Sequence, residues 1–211
     1  METVGPRVLG APVTLSSVTL APWSGRGSLH GLVIGNPEGF KGTYALKVGE
    51  VTVALRLSTL MTDMVVIDRV VVRGPEIAYE MAAGSSNLSR LQKNAEAAAA
   101  RFGAGGDKPA ADAKGDKAIL IKDFLVTGGR VGLSAPGLGG EDLGVALPDV
   151  HLTDMGGKGK SPAETIALAL RAVTGAAIQS VSRIGSKSLE AAAGTAVKAL
   201  GLLGGAFKGG K

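Results

Sequence analysis

Residues 67–79 read IDRVVVRGPEIAY, and residues 121–133 read IKDFLVTGGRVGL. The two segments align without a gap, 54 positions apart, and both contain an apolar residue, two polar residues, a strand-like run, a glycine and a second run. The glycine at the same position in both favours a true repeat over the chance echo that any β-meander shows. Repeated strand–corner–strand units predict an extended sheet that grows by addition of units.

The sequence around the repeat also has the period of β-strands. Between residues 51 and 57, apolar side chains alternate with Thr, Ala and Arg, as in a strand with one buried and one wetter face. Similar runs lie at 12–20, 28–34, 64–72, 76–81, 118–133 and 143–153. We therefore predict an α+β protein built on an extended antiparallel β-sheet, with one short inserted helix and a C-terminal amphipathic helical segment.

The helical parts follow from a change of period and from capping signals. Apolar residues at helical spacing over 85–102 predict a short amphipathic helix, with Ser86 or Asn87 as its cap. Residues 161–164 read SPAE, a capping box with proline at the first helical position. The predicted organisation is a β-rich domain over residues 1–160, with a flexible linker at 103–117, and an Ala/Gly/Leu-rich helical segment over 161–211.

Two apolar surfaces are the candidate functional sites. The first is a groove for acyl chains on the strand faces, where each buried methylene of a lipid tail gains about 0.8 kcal/mol. Its predicted members are Val51, Val53, Leu55, Leu57, Val70 and Val72. The favoured alternative is that the chain's own helices cover this face.

The second surface is the apolar stripe of the C-terminal helices. Its predicted members are Ile166, Leu170, Val173, Val181, Ile184, Leu189, Val197 and Leu200. A lid over the sheet, a homo-oligomer or partner seam, and binding to a membrane surface are three alternatives for it.

The residue inventory gives little support for catalysis. The chain has no cysteine, and its two histidines, His30 and His151, lie far apart in sequence. Asp123, Asp149 and Asp154 lack the spacing of a known metal motif, and the repeat predicts turns at the first two. We therefore expect no enzymatic activity, no catalytic pair, no metal site and no cofactor.

Charge and hydropathy limit the partners. The net charge is +5, and residues 161–211, with six basic and two acidic side chains, carry +4 of it. The first 160 residues are thus nearly neutral, which argues against a nucleic-acid partner. The apolar runs are broken by Gly, Lys or Ser, so we expect no membrane-spanning helix and no signal peptide within the chain. The sequence begins abruptly, and we therefore expect that it starts at a cut just after a membrane anchor.

Several stretches resemble the N-terminal region of AsmA-like proteins of the bacterial envelope. They are GRGSLHGLVIGNPEGF at 25–40, VGEVTV at 48–53 and SNLSRL at 86–91. The resemblance covers about residues 3–95, and more loosely 118–153, and GLVIGNPEGF is its most specific part.

This resemblance implies a location, a shape and a function. Members are usually held in the inner membrane by one N-terminal helix, with a periplasmic body. Larger TamB-type relatives look like elongated sheets curled into an apolar groove, linked to phospholipid movement or outer-membrane homeostasis. The implied function is that of a periplasmic protein, anchored in its full-length form, that contacts lipids or assists envelope assembly. The alternative is a structural subunit whose helices bind another copy or an envelope protein, without lipid cargo.

Overall fold

A computed structural model describes residues 4–82, 84–103, 117–134 and 143–183. The strands are β1 Val13–Thr14, β2 Ser17–Ala21, β3 Arg26–Ile34, β4 Leu46–Leu55, β5 Met64–Arg73, β6 Glu76–Ala82, β7 Ser85–Ser86, β8 Ala118–Thr127, β9 Arg130–Ser134, β10 Leu143–Ala146 and β11 Val150–Gly156. The helices are α1 Val4–Leu9, α2 Asn87–Gly103 and α3 Pro162–Arg183, with a 3₁₀ turn at Leu57–Thr59. The prediction of a mixed α+β protein with a large sheet is confirmed.

The two copies of the repeat lie side by side in the sheet. β5 pairs with β8 and β6 pairs with β9, so that Ile67 is opposite Ile121 and Ile77 is opposite Val131. Both pairs are parallel, so the prediction of an antiparallel sheet is wrong for them. The physical reason is the length of the connection: residues 74–117, which include β6 and α2, separate β5 from β8, and this is long enough for β8 to start at the same end as β5. The remaining strand pairs in the described residues are antiparallel.

A glycine corner divides each copy of the repeat into two strands. Gly74 lies between β5 and β6 with φ +56°, and Gly128 lies between β8 and β9 with φ +64°. This left-handed conformation is accessible to glycine without the steric cost that a Cβ imposes. The two corners are joined by a hydrogen bond of 2.8 Å from Gly74 N to Thr127 O. The sheet therefore has a first arm, centred on β11, β8, β5 and residues 50–55 of β4, and a second arm, centred on β10, β9 and β6.

The motif of one apolar and two polar residues in the repeat is a β-bulge. Ile67 and Val70, three residues apart, both contact the buried core although strict alternation would place them on opposite faces. The register between β4 and β5 shifts at Ala54 and Leu55, opposite this point. A bulge inserts one extra residue, which brings side chains at i and i+3 to the same face.

The core lies on one face of the sheet, here called the inner face, under the helices. α2 begins at the predicted place. Ser86 caps its first turn, because Ser86 Oγ accepts a hydrogen bond of 3.1 Å from Ser89 N. Its buried side is Leu88, Leu91, Ala95, Ala98 and Ala99. The predicted capping box of α3 is confirmed: Glu164 N donates to Ser161 Oγ at 3.2 Å, and Ser161 N donates to Glu164 Oε2 at 2.5 Å. These caps satisfy backbone donors that each helix would otherwise leave unpaired.

α3 has 22 residues and a mean hydropathy of 1.3 over its most apolar window. By length and composition alone it is therefore able to cross a membrane, which differs from the expectation drawn from the sequence. A core helix passes the same test, and 28% of that window is buried within the structure.

Candidate functional site

The structure places most of the predicted groove on the inner face of the first arm. Val51 is opposite Val72 and Val53 is opposite Val70, so these four valines form one cross-strand block. Val51 and Val70 are buried, whereas Val53 and Val72 are half-buried against the same core. This part of the face is interior to the protein, which is the arrangement that the alternative of self-coverage predicts.

The other two predicted groove residues lie farther toward the end of the arm. Leu55 is half-buried at the last position of β4. Leu57 is outside the sheet, in the 3₁₀ turn, and is 38% exposed. They mark the point at which coverage of the inner face decreases.

α3 contributes part of that coverage. Leu170, Val173 and Val181 are half-buried and pack against the core. Ser180 Oγ donates a hydrogen bond of 3.2 Å to Ala146 O, which attaches the helix to β10. Ile166 does not belong to this stripe, because it is 41% exposed.

The residues that replace Ile166 on the buried side of α3 are small. Ala163, Ala167 and Ala177 are all buried in the core cluster. A helix that presents alanines brings its backbone closer to the sheet than one that presents isoleucine. The helical spacing of the sequence predicts Ala177 on this stripe, but it does not predict Ala163 and Ala167, which lie where Ile166 was expected. Ile184, Leu189, Val197 and Leu200 lie outside the described residues.

The inner face continues beyond the covered region, toward the edge strand β2. Leu29 of β3 is opposite Val51 on one side and Val18 of β2 on the other. Directly opposed residues share a face, so the apolar surface runs from buried Val51, through half-buried Leu29, to Val18 and Leu20, which are 41% and 70% exposed. We call Val18, Leu20 and Leu29 the open margin. The sequence predicts a strand-like run at 12–20 but does not show that it forms an exposed extension of the apolar face.

The outer face of the first arm carries a charged cluster across three strands, beside the apolar residues Val71 and Leu125. Asp123 of β8 accepts hydrogen bonds from Arg69 Nε of β5 at 2.6 Å through Oδ2, and pairs with His151 Nε2 of β11 at 2.5 Å through Oδ1. The prediction of a turn at Asp123 is wrong, because the bulge places its two polar residues within a continuous strand. His30 lies in β3, opposite Glu50. The cluster uses both carboxylate oxygens of Asp123 to join neighbouring strands.

This cluster predicts a change of stability with pH. The hydrogen bond with His151 holds the pKa of the Asp123 carboxyl below its ordinary value of 3.8; partial burial acts in the opposite direction, and Arg69 lowers it further. A depressed pKa in the folded state stabilises the protein above pH 3.8, and this contribution is lost as the pH falls through the folded value. We expect Asp123→Asn to lower the melting temperature at neutral pH but not in strong acid.

Melting curves from neutral pH to about pH 2 test this expectation. The matched control is Asp63→Asn, since the exposed Asp63 side chain makes no hydrogen bond or ion pair within the described residues. A constant difference between Asp123→Asn and the wild type at every pH would contradict the prediction.

A buried polar network lies in the second arm and was not foreseen from the sequence. The Asn87 side chain donates to Asn36 Oδ1 and to Ala78 O, both at 2.7 Å, and accepts from Glu80 N at 3.0 Å. Glu80 in turn accepts hydrogen bonds of 2.8 Å from the backbone N–H groups of Lys41 and Gly42. The turn after β3 and the start of α2 are thus joined through one fully buried amide, although they lie 51 residues apart. The role is structural, because all of these groups bond to one another.

Other chemistry is sparse in the part of the chain that the structure describes. Within residues 4–82, 84–103, 117–134 and 143–183, no three His, Asp or Glu side chains are arranged to hold a metal ion. A shallow cavity of about 610 Å³ on the first arm is lined mainly by polar residues of the outer face, among them Thr19, Arg26, Ser28, Thr52 and Arg69. The apolar candidate surface is therefore the open margin of the inner face. No protein-family model matches the sequence, and no curated protein matches it.

Proposed function

We propose that this chain is a non-enzymatic, AsmA-like protein of the bacterial envelope that contacts lipid acyl chains through the open margin of its sheet. One observation carries the proposal: the apolar inner face is continuous from the buried core to the exposed side chains of Val18 and Leu20. Burying such a side chain gains about 1.5–3 kcal/mol, and an acyl chain laid along the margin supplies the covering surface.

The sequence resemblance supports the setting of this proposal. Its most specific stretch, residues 31–40, forms the end of β3 and the turn that the Asn36–Asn87 network fixes. The proposed location is the periplasm, with an inner-membrane anchor in the full-length protein. The glycine corners and bulges provide the local bends by which a sheet curls around an apolar groove.

Lipid extraction from the purified chain, with native mass spectrometry, tests the proposal. The phospholipid content of two variants is compared. Leu20→Asp places a charge on the inner face of β2, and the matched control Thr19→Asp places the same charge on the outer face, one residue away. Both positions are exposed, so neither variant is expected to unfold. We expect near-stoichiometric phospholipid with the wild type and Thr19→Asp, and a loss of about tenfold with Leu20→Asp. A lipid-free wild type, or equal lipid in both variants, would contradict the proposal.

A second candidate function is that of a structural subunit. Ile166 and Leu168 of α3 are 41% and 39% exposed, and an apolar helix side of this kind is covered in a homo-oligomer or by an envelope partner. A lipid-free oligomer that Ile166→Asp converts to a monomer would favour this function over lipid contact.

A further inference from the structure

The most exposed large apolar side chains lie together at one end of the first arm. Trp23 is 94% exposed in the turn between β2 and β3, and Met61 is 95% exposed in the connection between β4 and β5. Leu57 and Leu60 of the same connection are 38% and 39% exposed. We call these four residues the apolar tip. A single exposed apolar residue is ordinary, whereas four in two adjacent loops indicate a contact surface.

The two loops of the apolar tip are held against each other. Leu55 N donates a hydrogen bond of 2.7 Å to Gly25 O, so the turn after β2 is tied to the end of β4. A Cβ placed on Gly25 would lie only 3.1 Å from Leu57 Cγ, so the leucine packs directly on that turn. The apolar tip is therefore one surface with parts from two connections.

The connection that carries Met61 is fixed by hydrogen bonds along its length. Thr59 Oγ1 donates to Arg56 O at 2.7 Å and accepts from Val66 N at 2.9 Å. Thr62 Oγ1 donates to Thr59 O at 2.9 Å, and Lys117 Nζ donates to Leu60 O. These hydrogen bonds hold the connection in one conformation with its apolar side chains exposed. Binding through them therefore costs little additional conformational entropy.

The charges around the apolar tip are mostly positive. The segments that end at this side of the sheet are residues 21–26, 56–63, 117–118 and 156–160. Their basic residues are Arg26, Arg56, Lys117, Lys158 and Lys160, and their acidic residue is Asp63. Glu96 and Glu164 line a cavity together with Lys160. Asp68 of β5 pairs with Arg56, which leaves four basic side chains unmatched by this ion pair. We call the basic residues of these segments the basic collar. An apolar tip next to a basic collar is complementary to a surface with an apolar interior and anionic outer groups.

From this geometry we infer that the apolar tip docks on the surface of an anionic lipid bilayer. Trp23 and Met61 enter the interfacial layer, where an indole ring keeps its apolar body in the lipid and its N–H in the wet headgroup region. The basic collar contacts lipid phosphates, each basic side chain adding electrostatic attraction that salt screens. The inference rests on the proposed function only in assuming that a membrane is near, and it does not need lipid on the open margin.

Vesicle binding by the delipidated chain tests this docking. Trp23 is the only tryptophan, so its emission reports directly on the tip. We expect phosphatidylcholine vesicles containing phosphatidylglycerol to shift the emission to the blue and to co-sediment the protein, and about 1 M salt to reverse both effects. Unchanged emission, or equal binding to pure phosphatidylcholine, would overturn the inference.

Variants separate the apolar tip from the rest of the surface. Met61→Ser is expected to weaken co-sedimentation about tenfold, from the lost burial of one side chain. Met81→Ser, which makes the same change at an exposed methionine of β6 in the second arm, is the control and is expected to bind as the wild type does. Equal binding of Met61→Ser and the wild type would overturn the inference, and so would a stable dimer whose Trp23 emission is already blue without vesicles. Since the protein is delipidated, failure here is distinct from failure of the copurification experiment.

Discussion

Replacing Asn87 with alanine is expected to lower the free energy of unfolding by about 3–5 kcal/mol. The side chain is fully buried, and its amide makes hydrogen bonds with Asn36, Ala78 and Glu80 simultaneously. Alanine leaves these polar groups in the interior without a partner, and each unsatisfied buried group costs about 1–3 kcal/mol. The loss is therefore larger than that of one hydrogen bond.

Urea denaturation followed by circular dichroism measures this loss. The matched control is Asn94→Ala in the same helix, because Asn94 makes one side-chain hydrogen bond, of 2.8 Å, to Leu9 O. That change is expected to cost about 1 kcal/mol. If the two variants are equally stable, the network does not hold the turn after β3 to α2 as described.

Gly156→Ala is expected to be the second most damaging of these changes, at about 3 kcal/mol. Gly156 has φ +87°, and a Cβ there would lie 2.1 Å from Ile119 O and 2.6 Å from Thr165 Oγ1. The methyl group therefore adds a clash with backbone to the strain of the dihedral angle. To avoid it, the end of β11 must move away from β8 and from the first turn of α3.

Gly159→Ala separates the two contributions. Gly159 has φ +78° but no atom within 4 Å of the Cβ position, so only the strain of about 1 kcal/mol applies. Thermal melting of both variants measures the difference, which we expect to favour Gly159→Ala by about 2 kcal/mol. Equal melting temperatures would contradict the prediction, because they would show that the β11–α3 junction accommodates the methyl group of Gly156→Ala without a loss of stability.

The features that the sequence predicted correctly are local. Alternation over residues 51–55 follows from one strand alone, and the Ser161–Glu164 capping box follows from four adjacent residues. Leu57, which was assigned to the same alternation, lies beyond the end of the strand. The parallel pairing of β5 with β8 was not predicted, because it depends on the path of the chain through α2 and the residues after it. The repeat did contain a clue, since two copies with the same bulge and corner match best when they run side by side in register.

The candidate surfaces were predicted only in part. The period of the strands identified the apolar face that contains Val51 and Val70, but not how far the helices cover it. Coverage depends on how α3 packs on the sheet, and this packing places Ala163, Ala167 and Ala177 in the core. The apolar tip has no periodic signal, because Trp23 and Met61 are single residues in turns that only the pairing of β3 and β4 brings together.

The side-by-side pairing of the repeat copies has a consequence for synthesis on the ribosome. β5 emerges 54 residues before its partner β8, so its backbone edge has no neighbour on that side for about 3–10 s at ordinary elongation rates. An unpaired edge rich in valine is a template for intermolecular pairing. The nascent chain thus passes through an interval in which this edge is open to pairing with another chain.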